Sequence, residues 1–351
     1  MSQTNTETIE WLFENAGPII RWRLIRDFGV PVSEAEAAAT KRAVLESAEV
    51  RRWLDNLGGT NISTSLNTSV HGSKDIDAEN AMAKLIEYGL SAGMPRFDAK
   101  MLPYAERMVG DKQGIDGQSF VSLMAGPFLI AAGYTKNPAV RTYFRHRLDI
   151  LHETASKRNY DLYVPPEAKS CVPSAWRDKP VYKPEYYADR VVRLPSCYDL
   201  YALAHWPAES PDERQQIEEI VAYLADPRFQ TTPGGYLWDV EKRRCYAAGR
   251  VFLACLNENR KVLFLELMAR FKSCREQSWF HNVLVDLEGY RTDRDTYCFP
   301  SEYLVERRNS YYIYNGAHMG LGENRRRRQW REIESTFRMA NIKRLMDVDH
   351  P

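Results

Sequence analysis

The sequence has few cysteines and lacks the long apolar runs of membrane proteins. Its six cysteines are spread over 351 residues, and no two of them form a C-x-x-C pair. In a chain of this length without a secretory leader, such cysteines are expected to be free thiols in a reducing compartment. No uninterrupted apolar run approaches the roughly 20 residues that a membrane-spanning helix requires. We therefore expect neither a disulfide scaffold nor a membrane span.

The sequence also lacks a surplus of charge of either sign. It contains 48 lysines and arginines and 47 aspartates and glutamates, so no global field attracts nucleic acid or an acidic membrane. Its first residues are polar and acidic, without the basic start and apolar core of a secretory signal. A cytoplasmic protein is the resulting expectation. The motifs of P-loop, dinucleotide-binding, G-x-S-x-G and H-E-x-x-H proteins are absent as well.

The dominant feature of the sequence is helical periodicity. Apolar residues recur every three or four positions over most of the chain, whereas the alternation typical of strands is almost absent. The pattern predicts a single all-α domain over residues 1–351. The helices are expected over residues 9–28 with a break at Pro18, 34–57, 75–90, 96–109, 114–134, 137–155, 194–206, 210–224, 245–256, 261–271, 310–322 and 326–346.

Two segments interrupt the helical pattern. Residues 158–193 contain five of the 18 prolines together with many tyrosines and charges, and residues 278–308 are the second such segment. Long irregular loops in a compact domain are often functional. We expect both to be lid-like loops that cover one face, and the alternative for residues 158–193 is a linker between two domains.

The predicted helices alternate in character. An apolar helix is followed by a short turn, an amphipathic helix and a glycine-containing return loop, with a period of roughly 45 to 60 residues. An inner helix buried on both sides, followed by an outer helix with one wet face, is the pattern expected of an α/α toroid. The fold prediction is therefore an (α/α)5–6 toroid of inner and outer helices.

Two segments carry a resemblance to a known superfamily. In the first, Gly234-Gly235-Tyr236 precedes Cys245-Tyr246, which is expected to open an inner helix. In the second, glycines at 114 and 117 precede the apolar run that ends at Gly133. This spacing resembles the repeat of the terpenoid-cyclase and protein-prenyltransferase superfamily, and the opening segment WLFENAGPIIRWRLIRDF is similar to the start of uncharacterised bacterial proteins of that toroid class. The resemblance implies an α/α toroid with a central cavity.

The chain departs from the catalytic motifs of that superfamily. Prenyltransferases of this kind bind zinc through an aspartate and a cysteine two positions apart, together with a distant histidine. Cys245 matches the cysteine, but Arg243 stands where the aspartate is needed. The D-x-D-D and D-D-x-x-D motifs of terpenoid cyclases are absent, and the nearest carboxylate pair is Asp75 and Asp77.

The candidate catalytic residues lie near the starts of the predicted inner helices. In a toroid these starts converge on one mouth of the cavity, where unpaired N–H groups favour anions. The candidates are His71, Asp77, Cys197, Tyr198, Asp199, Tyr312 and His318. Each has a structural alternative: His71 as an exposed loop residue, the aspartates as helix caps and Cys197 as a small buried side chain.

Further residues are candidates for substrate binding, because they are aromatic or amide side chains near the same predicted mouth or in the lid-like loops. They are Gln118, Trp176, Tyr236, Trp238, Tyr246, Tyr311 and Asn315. Tyrosine, asparagine and histidine are also the residue types that neutralise a carboxylate and move a proton in polysaccharide lyases built on α/α toroids. The segment from Tyr311 to His318 contains all three types.

Three functional hypotheses follow. The first is a cofactor-independent cytosolic enzyme of lyase, hydratase, isomerase or cyclase type, which performs acid–base chemistry on a small, largely apolar or terpenoid-like molecule. The second is a zinc-dependent transferase. Its ligands would come from His71, Cys171, Cys197, Asp199 and His318. The third is a helical-repeat scaffold that binds a protein partner without chemistry, and a homo-oligomer is compatible with all three.

Overall fold

The chain is built almost entirely of helices in the part that the computed structural model describes. That part comprises residues 3–58, 72–74, 77–110, 120–187, 192–232, 234–239, 244–247 and 258–347. The helices are α1 (Gln3–Asn15), α2 (Pro18–Phe28), α3 (Glu34–Glu46), α4 (Ala48–Gly58), α5 (Ala78–Glu87), α6 (Pro95–Gly110), α7 (Phe120–Ala131), α8 (Pro138–Ser156), α9 (Cys197–His205), α10 (Pro211–Ala225), α11 (Pro227–Gln230), α12 (Glu258–Met268), α13 (Lys272–Arg275), α14 (Ser278–Glu288), α15 (Tyr312–Asn315) and α16 (Trp330–Asp347). Strands β1 (Tyr236–Asp239) and β2 (Arg244–Ala247) form one antiparallel hairpin. The all-α prediction is confirmed.

Five helices, called here the inner helices, are buried on nearly all sides. They are α5, α7, α9, α12 and α16, and each packs against the next one in that order. Their apolar side chains form one continuous core with those of α4, α6 and α8, which pack against them, and with those of α10, which packs against α8. Burial on all sides explains why α7, with the sequence FVSLMAGPFLIA, contains no charged residue.

Local signals set several helix boundaries. Pro18 occupies the first turn of α2, where its missing N–H costs nothing, and Gly29 ends that helix in the left-handed conformation at φ 67°. Ser196 and Asp199 form a capping box at the start of α9, in which each side chain accepts a hydrogen bond from the other's backbone N–H. These caps make the ends of buried helices independent of water.

The single helix predicted over residues 34–57 is wrong, because two helices occupy this stretch. The chain breaks at Ser47, which is extended at φ −62° and ψ 145°. Its hydroxyl donates to the carbonyl of Val44 at 2.8 Å and accepts from the N–H of Val50 at 3.2 Å. One serine thus ends α3 and begins α4, since its side chain competes with the helical backbone for hydrogen bonds.

The helix predicted to begin at Cys245 is also wrong. Residues 244–247 form β2, with Trp238 opposite Cys245 and Tyr236 opposite Ala247. A short apolar run does not distinguish strand from buried helix by periodicity, and the aromatic residues here favour a strand. Residues 248–256 of that prediction lie outside the described residues.

Two of the predicted helix boundaries near the C-terminal end differ from those in the structure. The helix predicted over residues 310–322 is limited to the single turn α15, because Gly316 and Gly322 take left-handed conformations at φ 58° and 80°. In contrast, α14 occupies the first third of the supposedly irregular segment 278–308. Its buried residues Phe280 and Leu287 lie seven positions apart on one helix face.

Residues 158–187 match the predicted irregularity. They contain three short 3-10 helices, namely Pro166–Cys171, Ser174–Trp176 and Pro184–Tyr186, and isolated bridges such as that between Tyr163 and Tyr182. Within the described ranges, no helix has both the length and the apolar character needed to cross a membrane. Four cysteines are free thiols, as predicted: Cys197, Cys245, Cys274 and Cys298.

Candidate functional site

Two of the polar cavities among the described residues lie between packed helices. The first, called here the His318 cavity, has a volume of about 440 Å³ and lies between α4, the end of α5, the loop after α15 and the start of α16. The second cavity has a volume of about 300 Å³ and lies at the C-terminal ends of the inner helices, beside the end of α2. Both volumes are near the lower end of the range for small-molecule sites.

A strained loop places His318 in the first cavity. The residue takes a left-handed conformation at φ 62°, which is uncommon for a side chain larger than glycine. Its ring is 2% exposed and meets the Trp53 ring edge-on, with 5.1 Å between centroids. The Nδ1 atom lies 3.4 Å from Oε2 of Glu306. Strain of this kind persists where the surroundings fix a side chain in place, and it is frequent at functional sites.

A buried lysine fixes the carboxylate behind His318. Lys84 is fully buried in α5, and its Nζ donates to Oε1 of Glu306 at 2.5 Å and to the carbonyl of His318 at 2.7 Å. A third bond joins Nζ to the carbonyl of Gly320. Burial alone would raise the pKa of Glu306, but the Lys84 ammonium outweighs it and holds that pKa at about 2. Glu306 is therefore a permanent anion beside the imidazole at neutral pH.

Glu334, on α16, is the opposite kind of carboxyl group in the same cavity. Its Oε1 accepts from the N–H groups of Leu321 and Glu323 at 2.8 and 3.1 Å. Its Oε2 has no hydrogen-bond partner among the described residues, and the side chain is 1% exposed. Burial raises the pKa of Glu334 more than the two N–H bonds lower it, and the resulting pKa is about 7. This carboxyl group can hold or release a proton at physiological pH.

Three arginines and two further glutamates, Glu49 and Glu323, line the cavity around this pair of carboxyl groups. Arg52, Arg308 and Arg325 line the cavity together with Asn324. Arg325 is anchored by a 2.8 Å bond to the carbonyl of Leu304 and lies 4.5 Å from the Trp330 ring centroid. Arg52 is paired with Glu49 at 3.0 Å. The other two guanidiniums suit a polar molecule that carries a negatively charged group.

Arg338 is the centre of a buried cluster of charged side chains. Its guanidinium, 1% exposed, donates from Nη1 to Glu87 and to Glu266, both at 2.7 Å, and from Nη2 to the carbonyl of Met319 at 2.6 Å. Tyr312 adds a 2.5 Å bond from its hydroxyl to Glu87. Burial would raise the pKa of Glu87, yet Arg338 and then Arg23 lower it to about 2. Glu87, Glu266 and Tyr312 of this cluster line the second cavity, and Met319 lies between His318 and Gly320, which line the first.

The structure distributes the predicted catalytic residues over different places. His318 lines the first cavity and Tyr312 the second. Tyr198 donates its hydroxyl to Glu79 at 2.7 Å, Cys197 is buried in the core, and Asp77 accepts from the N–H of Lys74 at 2.7 Å. His71 lies outside the described residues. Among the described members of this set, Tyr312 and His318 are the ones that line either of these two cavities.

Asp199 is a helix cap, which is the structural alternative to a catalytic role. It pairs with Arg147 through two bonds of 2.7 and 2.9 Å, and both side chains are buried. Its Oδ2 also accepts from the N–H of Ser196 at 2.8 Å, which completes the capping box of α9. All of its strong acceptors are therefore occupied by the fold, and it lines neither cavity.

The predicted substrate-binding residues do not come together at either cavity. Trp176 and Tyr236 meet edge-on at 4.9 Å with Lys179 over the Trp176 ring at 4.2 Å, and Trp238 is buried against Val172 and Val181. The pKa of Tyr311 is raised by burial and, to a smaller extent, by the nearby charges of Glu79 and Asp77. Gln118 and the side chains of Tyr246 and Asn315 lie outside what the structure describes.

A zinc site of the prenyltransferase kind does not fit the described residues. None of the histidine, cysteine and carboxylate side chains within them form a group of three that would hold a metal ion. Cys245 lies in β2 and not at a helix start. Burial raises the pKa of its thiol, which opposes the thiolate form that a zinc ligand requires.

Sequence reasoning missed Lys84, Glu306 and Glu334. Lys84 had a usable signal, since it lies among alanine, methionine, leucine and isoleucine in the run AMAKLIE, where a buried cation requires partners. Glu306 and Glu334 lie in segments whose charges look solvated in the sequence. Their burial depends on how distant segments meet, which local pattern does not encode.

The pH dependence of stability tests the protonation of Glu334. The folded chain holds this proton up to a pKa of about 7 while the unfolded value is 4.5, so the group's contribution to stability falls as pH rises from about 4.5 to 7. We expect the free energy of unfolding of Glu334→Gln, relative to that of the native chain, to increase by as much as about 3 kcal/mol from pH 4.5 to pH 8. Urea unfolding at both pH values measures this.

The exposed Glu46 of α3 provides the control, since Glu46→Gln alters a carboxylate that lines neither cavity. Parallel stability–pH curves for Glu334→Gln and the native chain would show that Glu334 is ionised in the folded state at neutral pH.

No protein-family model, curated protein or solved structure matches this chain.

Proposed function

We propose that the protein is an acid–base enzyme that moves a proton next to a carboxylate of a small anionic substrate in the His318 cavity. The observation that carries this proposal is the pair of carboxyl groups with opposite protonation around one strained histidine. Glu306 is held ionised with a pKa of about 2, whereas Glu334 has a pKa of about 7. Environments that push the pKa values of neighbouring groups apart are typical of acid–base sites.

The residues divide into base, acid and anion-binding groups. With Nδ1 donating to Glu306, the second ring nitrogen of His318 is the basic one, and the carboxylate stabilises the imidazolium that forms. Glu334 in its protonated form donates the proton that is returned to the product. The arginines that line the cavity bind the substrate carboxylate and stabilise the enolate-like charge that develops beside it.

Two reaction types satisfy this arrangement. In an isomerase, His318 takes the proton from the carbon next to the carboxylate, and Glu334 returns a proton to the same or a neighbouring carbon. In a lyase, the same abstraction is followed by loss of a leaving group from the adjacent carbon, which Glu334 protonates. Both types balance without an oxidant or a cofactor.

The proposed architecture is a closed ring of helix pairs. The support is the order of packing, in which α5, α7, α9, α12 and α16 follow one another. On the far side, Trp22 and Arg23 of α2 donate to the carbonyls of Gly89 and Glu87 at 3.0 and 2.7 Å, and α2 packs against α16. The C-terminal ends of the inner helices meet at the second cavity. The free thiols support a reducing, cytoplasmic location.

Proton exchange with solvent tests the substrate class. The protein is incubated in D₂O with a panel of small 2-hydroxy and 3-hydroxy carboxylates, and the proton signal next to the carboxylate is followed by NMR. We expect loss of that signal for at least one carboxylate and not for its methyl ester, because the ester offers the arginines no charge.

The exposed Arg42 of α3 supplies a control, and the variant Arg42→Gln is expected to exchange at the native rate. Equal exchange of an acid and its ester would contradict the role given to the arginines. Absence of exchange across the whole panel would refute proton abstraction from carboxylates of this size.

A further inference from the structure

Two arginines that line the second cavity form no ion pair with a carboxylate among the residues that the structure describes. Arg270 follows the end of α12 and Arg344 lies in the last turn of α16, and both line the cavity. The Arg270 side chain forms no hydrogen bond or ion pair with any residue that the structure describes. Arg344 donates one bond of 2.8 Å to the amide oxygen of Asn341, and its Nε has no partner within the described part.

These two cations repel each other. Burial and then the charge of Arg344 lower the pKa of Arg270 to about 10. Burial also lowers the pKa of Arg344. Asp27 and Glu266 attract both guanidiniums without pairing with them, and a partly buried guanidinium that lacks an ion pair is costly to fold. The pair therefore has a free-energy cost that a bound anion would relieve.

The carboxylates of the cavity are already engaged elsewhere. Asp27 binds Arg23 and Arg26, with 2.5 Å between Nε of Arg26 and its Oδ1. Glu87 and Glu266 share Arg338, and Asn341 donates to Glu266 at 3.1 Å. Burial raises the pKa of Glu266 further toward the neutral form. Positive charge thus remains in excess at the Arg270 end.

Neutralisation of helix C-termini does not account for Arg270. Basic side chains near a helix end usually donate to its last carbonyl groups. Two neighbours do so: Arg26 binds the carbonyl of Gly89 at 2.7 Å, and Arg275 binds that of Ala269 at 3.0 Å. Arg270 makes no such bond, although the carbonyls of α12 are close.

A tyrosine and an apolar surface complete the cavity. Tyr201 is 1% exposed, lines the cavity, and its hydroxyl has no hydrogen-bond partner among the described residues. An unpaired hydroxyl at such depth is itself costly. Leu263, Leu267 and Leu345 line the same cavity and supply its apolar side.

We propose that the second cavity binds a small organic anion, whose carboxylate or phosphate group is held by Arg270 and Arg344 and whose apolar part packs against the leucines. The guanidinium fork suits either oxyanion. The Tyr201 hydroxyl adds a hydrogen bond to the ligand. His205 beside it stays neutral at physiological pH, because burial and then Arg270 lower its pKa to about 3. This site is separate from the His318 cavity and does not depend on the activity proposed there.

Ligand-dependent stability tests the site. The full chain is titrated with benzoate, phenyl phosphate and neutral benzyl alcohol, with the melting temperature and binding calorimetry as readouts. We expect one or both anions, and not the alcohol, to raise the melting temperature with concentration. The tighter anion identifies the headgroup. Arg270→Gln and Arg344→Gln should weaken anion binding by about tenfold or more, since each removes a charged hydrogen-bond donor.

Two features separate this site from a general salt effect. Without ligand, Arg270→Gln should melt at a higher temperature than the native chain, because the repulsion between the two partly buried guanidiniums is gone. Arg42→Gln should retain both the native melting temperature and anion binding, and His318→Gln should retain anion binding.

Tyr201→Phe offers a milder variant if an arginine variant does not fold, with anion binding weakened about threefold to tenfold. Equal anion stabilisation in native and variant chains, or none in the native chain, would overturn the proposal.

Discussion

Replacement of Arg338 by methionine is expected to destabilise the protein by about 3–5 kcal/mol. The substitution keeps most of the side-chain volume but leaves the Glu87 and Glu266 carboxylates and the Met319 carbonyl without their shared donor. The cost comes from the charges left behind, since burying an unpaired carboxylate is far more expensive than losing an exposed ion pair. Urea unfolding of Arg338→Met at pH 7 measures it.

Two comparison variants make this result specific. Arg331 lies on the same helix with an exposed side chain, so Arg331→Met is expected to change stability by less than about 0.5 kcal/mol. Adding Glu266→Gln to Arg338→Met should restore part of the loss, because it removes one of the orphaned charges. A loss below about 1 kcal/mol for Arg338→Met would show that water enters the cluster and solvates the carboxylates.

Replacement of His318 by glutamine is expected to slow proton exchange by about 10²–10⁴-fold, the usual contribution of a positioned general base. Glutamine retains hydrogen-bonding capacity but cannot accept a proton at physiological pH. The matched variant Glu306→Gln keeps the imidazole and removes only the anion that stabilises its charged form. It should therefore lower the exchange rate by less than His318→Gln does and shift the pH dependence of exchange, whereas Arg42→Gln should do neither.

The sequence was sufficient to predict the all-α class and most helices, because their caps and periodicities are local. Pro18, Gly29 and Ser196 act within a few residues of where they lie. The prediction was wrong where several conformations satisfy the same local pattern. The apolar residues after Cys245 suit a strand as well as a helix, and one hydroxyl at Ser47 divides an otherwise continuous helical stretch.

The candidate site was predictable only in part. His318 was identified from its residue type, but its importance comes from a left-handed loop conformation and from Glu306, twelve residues earlier. Lys84 reaches that carboxylate from 222 positions away. Glu334 owes its raised pKa to burial by segments far apart in the chain. Such contacts arise from tertiary packing, and a single sequence does not record them.

The two cavities differ in the chemistry that their charges allow. Around His318 a carboxylate and a carboxyl group of raised pKa are available to move a proton. In the second cavity every carboxylate is engaged, His205 is neutral, and the surplus is cationic. We therefore propose proton transfer in the first cavity and anion binding without chemistry in the second.

The most direct test of this assignment is the rate of deuterium incorporation by native protein, His318→Gln and Arg270→Gln, measured by NMR on the same carboxylate at pH 7. We expect the exchange rate of the histidine variant to be at least about 100-fold lower than that of the native protein, and its unfolding to remain cooperative. We also expect the arginine variant to exchange within about threefold of the native rate. Native-like exchange by a folded His318→Gln protein would contradict the assignment, and a loss confined to Arg270→Gln would place the chemistry in the second cavity.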